Sequence, residues 1–451
     1  MRLNKENKTI MLSKLKIATA LIVALASTIS VSSVAEASTK GDISGFFIAA
    51  ENNSQANENL LKDIKKVGGD TVITFGYTLE KGTYSATVSD NFKNCKVGST
   101  RCTDKIRSGI TVRNYLNYKG NTKFTSKVRK CSRDIFTTDS TNPNRTYAFF
   151  AVPVNGTCST SKIFDIVATS SYGIVKEDNV TQEVFKLGMK HYIGLPSPSK
   201  NDSQAWLPNT SYLSTVKDFT QRFVKSNSTK GLAGYYQHRE MPMSSFSSWN
   251  GMLSLFKTQN EAVTSSAPSG VRNVLLSPYM DARKFMNQTP AEAKKAIAKM
   301  ANTKAGLNKL IIAPQDGMGT GKGSAYTGVQ WNGKVDPFAR TVVGNVYNNQ
   351  AYFANTKTYY AAMKQGLSGK SNVYLWANIE SMAPVIESGA NKNVCSTGHN
   401  RERGYTWKSR LQAQVNSTQP STSKRISYHW HYLECDRNGR TPMKNILPSI
   451  K

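Results

Sequence analysis

Eight short apolar runs, spaced by segments of helical character, constrain this chain more than any other feature. They are Ile43–Ala49, Thr71–Gly76, Lys190–Leu195, Leu232–Gln237, Val274–Ser277, Lys309–Ala313, Val373–Ala377 and Arg425–Tyr428. Each has the length of a strand buried on both faces, which suits a parallel sheet covered by helices. The segments between them carry helix punctuation. Glu58–Lys66 runs into Gly68-Gly69 and Gln182–Leu187 into Gly188, where a glycine with positive φ closes a helix. Thr289-Pro290-Ala291-Glu292 reads as a capping box with proline at the first helical position, opening Pro290–Asn302. Ser214–Lys225, Trp249–Thr264, Thr356–Gln365 and Trp407–Val415 have the apolar spacing of surface helices. Eight strands alternating with helices predict an α/β protein, a (β/α)8 TIM barrel. Little chain follows the last run, so an eighth helix is expected to be short or missing.

Two segments stand outside this pattern. Residues 1–37 read as a cleavable signal peptide: a basic start, an apolar run from Ile17 to Val34, then Ala35-Glu36-Ala37. The run is nearly long enough for a membrane anchor, but its Ser and Thr content and the Ala-x-Ala favour cleavage. No later segment is apolar enough to span a bilayer, so residues 38–451 are expected outside the cytoplasm, periplasmic or extracellular. Residues 78–170 interrupt the barrel between strands two and three. They are rich in Thr, Ser, Asn and Tyr, and Tyr147–Val152 and Ile163–Thr169 look like strands, so a β-rich insertion is predicted. It holds Cys95, Cys102, Cys131 and Cys158, with Cys395 and Cys435 far downstream. An even count in an exported chain suggests disulfides. Cys395 follows strand seven and Cys435 follows strand eight, which favours their pairing, with the insertion's four pairing among themselves.

Charge points to partners. The chain has 59 Lys and Arg against 29 Asp and Glu. Removing the leader takes five basic and two acidic residues, leaving 54 against 27, a net +27. Between Glu80 and Asp165 there are fifteen basic and six acidic residues. Such a field attracts polyanions. An exported protein rarely meets nucleic acid, so a polysaccharide or oligosaccharide, an acidic one included, is the expected partner; the other reading of the charge is a generally basic surface.

In a barrel of this kind chemistry sits at the C-terminal ends of the strands. Period-two alternation puts Tyr236, His238 and Glu240 on one face after strand four, and Trp376, Asn378 and Glu380 on one face after strand seven. Tyr279 follows strand five, Gln315 and Asp316 follow strand six, and His429 follows strand eight. Two carboxyl groups facing one cleft can cleave a glycosidic bond, one donating a proton and the other attacking the sugar. Tyr236 and Trp376 are placed to stack on sugar rings, and His238 to partner the catalytic acid. Asp316 is the rival carboxylate. Its loop, Gly317–Gly323, lacks the contiguous Gly-Lys-Ser/Thr of a phosphate cradle. His429 and His431 alternate as metal ligands do, but no third histidine completes a set, and no metal or cofactor is expected. No Gly-x-Ser-x-Gly elbow is present.

The strings GYYQHRE, LLSPYMDAR, LIIAPQDGMGTGK and YLWANIE resemble the bacterial barrel family known as domain of unknown function 4434, grouped with the glycosidase barrels. The resemblance covers Gly41–Tyr77 and Phe185–Cys435 and leaves out the insertion. It implies the clan A arrangement, with Glu240 as acid/base and Glu380 as nucleophile of a retaining glycoside hydrolase. Arg239 stands where that clan usually has an Asn that helps hold the sugar 2-hydroxyl. The other reading is a non-catalytic protein whose cleft and basic insertion only bind glycans or envelope polymers.

Overall fold

The computed structural model describes residues 42–84, 92–173, 175–201, 204–390, 392–395, 403–436 and 441–451. The expected leader, 1–37, lies outside them. Eight strands form the central sheet: β1 (Ile43–Ile48), β2 (Thr71–Thr74), β3 (Lys190–Gly194), β4 (Leu232–Gln237), β5 (Asn273–Leu276), β6 (Lys309–Ile312), β7 (Val373–Leu375 and Ala377–Glu380) and β8 (Arg425–Tyr428). All pair in parallel, each with its chain neighbours, and β8 pairs with β1. The two segments of β7 close the ring. The first bonds to β6 and the second to β8. At Trp376 between them the main-chain bonding switches sides, its N–H donating to the Ile312 carbonyl at 2.9 Å while that of Ala377 donates to Lys424. The molecule is a closed (β/α)8 barrel.

Alternation along the strands divides the core. Phe47, Ile73, Tyr192, Tyr236, Leu275, Ile311 and Ile426 fill the barrel interior. Their neighbours Phe46, Ile48, Val72 and Leu276 point outward into a second layer completed by the helices. Seven helices follow strands β1 to β7: α1 (Ser54–Lys66), α2 (Lys176–Lys186), α3 (Leu213–Ser226), α4 (Asn250–Ser266), α5 (Pro290–Ala301), α6 (Thr356–Gly366) and α7 (Lys408–Thr418). Helices α1 and α2 start earlier than their apolar periodicity predicts, because the residues that their first turns bury, Asn57 and Glu177, are polar. Asn53 caps α1 by accepting from the Gln55 and Ala56 amides. At α5 only half of the expected capping box forms. Thr289 accepts from the Glu292 amide, but the Glu292 carboxylate turns to Ser245 at 2.6 Å and Lys295 at 3.0 Å. After β8 a single turn, Trp430–Leu433, takes the place of an eighth helix. Its buried Trp430 meets Phe46 edge-on at 5.0 Å and so covers β1. No helix among the described residues is long and apolar enough to cross a membrane.

The insertion folds as a six-stranded sheet ordered Ser197–Pro198, Thr78–Gly82, Thr111–Tyr118, Ile163–Tyr172, Arg145–Pro153, Ile135–Thr138. Its edge strand comes from beyond β3, pairing Ser197 with Thr78, so barrel and insertion are stitched by main-chain bonds. One face, with Tyr118, Phe124, Phe150 and Val167, packs on Phe219 and Phe223 of α3 and joins the barrel's outer core. The other face, with Phe149, Ala151, Phe164 and Ile166, builds a separate core around Cys95, Cys102 and Cys131. Cys95 is bonded to Cys102 and Cys131 to Cys158. Between the layers the fully buried Arg222 of α3 binds Asp134 at 2.6 Å and Asp218 at 2.5 Å and donates to the Val128 carbonyl. A third bond, Cys395–Cys435, ties the segment after β7 to that after β8.

Candidate active site

At the C-terminal mouth, isolated bridges prolong the barrel past the regular strands: Pro242 to Tyr279, Tyr279 to Gln315, and Gln315 to Asn378. They lead the chain ends of β4, β5, β6 and β7 around a cleft of about 230 Å³. Glu240, Tyr279, Gln315, Thr320, Lys322, Glu380, Met382, Arg403 and Tyr428 line it.

The two glutamates are held differently. Glu240 is exposed at the cleft, and Gln315 donates to its Oε1 at 2.7 Å. The surrounding walls still withdraw much of its water. That loss, helped by the negative charge of Glu380, outweighs Gln315 and the Lys322 charge and pushes its pKa up to about 6. Glu380 is 2% exposed. The Thr320 amide donates to its Oε2 at 2.8 Å and the Thr320 hydroxyl at 3.1 Å. Burial raises its pKa, while the Thr320 donors and then the Lys322 and Arg403 charges oppose the rise.

The Gly317–Gly323 loop after β6 makes this grip possible. A side chain on Gly319 would collide with Glu380 itself, so only glycine lets the loop close over the carboxylate. The loop's amide thus serves the protein's own anion. Lys322 lies over the Tyr279 ring, its Nζ 5.2 Å from the centroid.

Behind Glu380, helix α7 supplies a polar pair one turn apart. Gln414 donates to Asp316 at 2.8 Å and to the Glu380 carbonyl at 3.0 Å. The fully buried Arg410 binds Asp336 at 2.9 Å and donates to the carbonyls of Met382 and Met318. It therefore ties the β6 and β7 loops to one cation. Neither residue was expected at the site. Their signal was a polar pair at i and i+4 on the apolar face of a predicted helix. Thr320 and Lys322 lay in a loop already marked by its glycines, whereas Arg403 had no sequence signal.

Of the substrate-binding candidates, the structure brings Tyr279 and Gln315 to the cleft surface; the other six lie elsewhere. Trp376 and Tyr236 do face the barrel interior, but too deep. Trp376 packs on Tyr192 at 6.1 Å and under Lys424, which also binds Asp70 and Thr71 at the start of β2. It closes the N-terminal end of the barrel. Tyr236, 2% exposed, meets Phe47 at 5.1 Å. Four residues of strand span about 13 Å, so a shared face is no shared depth. Asn378 is fully buried and donates to Ser277 Oγ at 2.9 Å. Asp316 is also fully buried. It accepts from the Met318 amide at 3.1 Å and from Gln414, and burial next to Glu380 raises its pKa. It supports Glu380 from behind and cannot touch a ligand in the cleft.

His238 does not reach Glu240. Its Nδ1 meets the Leu195 carbonyl at 3.1 Å and its Nε2 the Ser197 hydroxyl at 2.9 Å. Burial and the Arg239 charge lower its pKa to about 4. It is a neutral pin between β4 and the β3 loop. His429 stacks on Phe75 at 5.6 Å and on His431 at 5.0 Å, outside the cleft lining. Among the described residues no cluster of His, Cys, Asp and Glu has the makings of a metal site.

No family model matches this chain, and no curated protein matches it. Similar solved structures include a protein provisionally named an alpha-L-fucosidase from Bacteroides thetaiotaomicron VPI-5482, at 12% identity and a TM-score of 0.47, covering 92% of this chain and 95% of that one. An endo-beta-1,4-mannanase from Thermotoga petrophila is similar at 9% identity and 0.31, covering 91% and 76%. A sugar phosphate isomerase/epimerase from Parabacteroides distasonis ATCC 8503 is similar at 8% identity and 0.34, covering 90% and 92%. Likenesses this distant carry no chemistry to the cleft described above.

Proposed function

We propose that this protein is an exported glycoside hydrolase acting on a poly- or oligosaccharide with retention, Glu240 serving as acid/base and Glu380 as nucleophile. One observation carries the reading: carboxyl groups from β4 and β7 line the same small cleft under unlike conditions. Glu240, open and raised to about 6, keeps a proton at mildly acidic pH and can yield it to the glycosidic oxygen. Glu380, fixed by Thr320, attacks the anomeric carbon as that C–O bond breaks, forming a glycosyl ester. Glu240, now ionised, takes a proton from water, whose oxygen displaces Glu380. The sequence strings quoted above support a place among the domain of unknown function 4434 barrels. Three disulfides suit an oxidising compartment and, with the leader-like N-terminus, support export.

Reducing ends released from a panel of polysaccharides test this reading. Glu380→Gln should abolish release with folding intact. Glu240→Ala should hurt poor leaving groups most and be partly restored by azide, which needs no base assistance. A protein that binds glycans but releases no reducing ends from any of them is the binding module instead.

A further inference from the structure

The insertion has a cavity of its own, about 530 Å³, that shares no lining residue with the cleft. Two of its walls come from segments fixed by disulfides. Helix Cys102–Arg107 begins at the Cys95–Cys102 bond and supplies Lys105, with Ser108 just beyond it. The turn around Cys131, which is bonded to Cys158, supplies Arg129, Ser132 and Arg133. Arg133 joins the two walls, its Nη1 donating to the Ser108 carbonyl at 2.7 Å. Arg129 is tethered in the same way. Its Nη1 donates to the carbonyls of Asp134 at 2.5 Å and Ser132 at 3.2 Å, and its guanidinium lies over the Phe136 ring, 5.1 Å from the centroid. All three acceptors are neutral. Among the described residues Nε and Nη2 of both arginines have no partner, and neither arginine nor Lys105 makes an ion pair. The acids on the same segments are engaged elsewhere: Asp134 is buried on Arg222 at 2.6 Å, and Asp104 binds Arg107 at 3.3 Å and accepts from the Tyr84 hydroxyl at 2.5 Å. Three cations held at one cavity repel one another, and an anion between them relieves that repulsion.

We infer that this cavity docks an acidic saccharide chain away from the cleft, with Arg129, Arg133 and Lys105 receiving its carboxylate or sulfate groups. The free Nε–Nη2 edge of a guanidinium can take either group through two parallel hydrogen bonds. The choice of a saccharide rests on the glycan reading of the cleft. The lining also disfavours the other common polyanion. Single-stranded nucleic acid needs open rings on which its bases stack. Phe136, the one ring in this lining, already has Arg129 over one face and packs against Phe150 at 5.7 Å. The insertion then holds polymer beside the barrel whose cleft cuts it.

The test is a calorimetric titration of the full chain with oligogalacturonate, dextran sulfate, neutral dextran and polyuridylate. Saturable binding of an acidic saccharide and none of dextran is expected, and the tighter of the two acidic chains names the group on the natural polymer. Lys105→Glu should weaken that binding about fivefold or more. Lys105 is exposed and its ammonium has no partner among the described residues, so the change spares the fold. Lys357→Glu makes the same change of charge on an exposed side chain of α6 and should leave the affinity within about twofold. Affinity indifferent to Lys105→Glu, an equal loss in Lys357→Glu, equal binding of dextran, or tighter binding of polyuridylate overturns the site. The titration needs no turnover, so a protein that passes it and hydrolyses nothing fails only the hydrolase reading. One that hydrolyses glycans while its affinity ignores Lys105 fails only the docking site.

Discussion

On the β4 wall of the cleft, Glu240 stands open to solvent with Gln315 as its hydrogen-bond donor. On the opposite wall Glu380 is gripped by Thr320 in front and backed by Asp316, Gln414 and Arg410. The difference suits the two roles proposed for these residues. A group that gives and retakes a proton needs water within reach, and a nucleophile needs a fixed direction of approach. Fixing a direction takes buried polar groups, and each must be satisfied. The β6–β7 wall is therefore where this molecule concentrates Arg410, Asp336, Gln414 and Asp316, all buried.

The sharpest way to break the comparison is Glu380→Gln, expected to lower turnover by roughly 10⁴-fold with an unchanged thermal transition. If the variant keeps its activity, the buried wall holds no nucleophile. Glu240→Ala should cost about 10²–10⁴-fold on poor leaving groups and far less on good ones, measured with a series of aryl glycosides. Equal losses across the series would mean that Glu240 is not the acid.

Arg410→Met tests the scaffold. It strands Asp336 and frees the Met318 and Met382 carbonyls, so a loss of about 3–5 kcal/mol is expected in urea unfolding. Gln414→Leu leaves Asp316 with one donor fewer and should cost about 1–3 kcal/mol by the same measurement. Its activity should fall too, since the Glu380 carbonyl also loses its donor.

The gentlest test is pH. Folding raises the Glu240 pKa from 4.5 to about 6, so the fold favours its protonated form. Stability linked to it is complete below 4.5 and lost as pH rises through about 6. As the acid, Glu240 should impose a fall in kcat/KM of about tenfold per pH unit above 6. Glu240→Gln should flatten that limb, and a limb that persists belongs to another group.

The primary structure by itself determined the eight strands, the place of the insertion, the period-two face on which Glu240 and Glu380 stand, and the glycine loop after β6. These follow from local rules: apolar runs, helix punctuation and alternation act within a few residues of one another. Only the tertiary structure decided depth and partnership. Trp376 and Glu380 share a face of β7, yet one plugs the N-terminal end of the barrel and the other lines its mouth. Alternation alone would put His238 and Glu240 on one face beyond β4, yet the close approach of the β3 loop claims the histidine for Leu195 and Ser197. Arg410, Gln414 and Arg403 enter the site from segments far along the chain, and the insertion reaches the mouth through two residues beyond β3. The reason is physical. Side-chain direction repeats along a strand, but depth in a barrel and the nearest buried partner depend on how closed strands stagger and on which loops fold back over them.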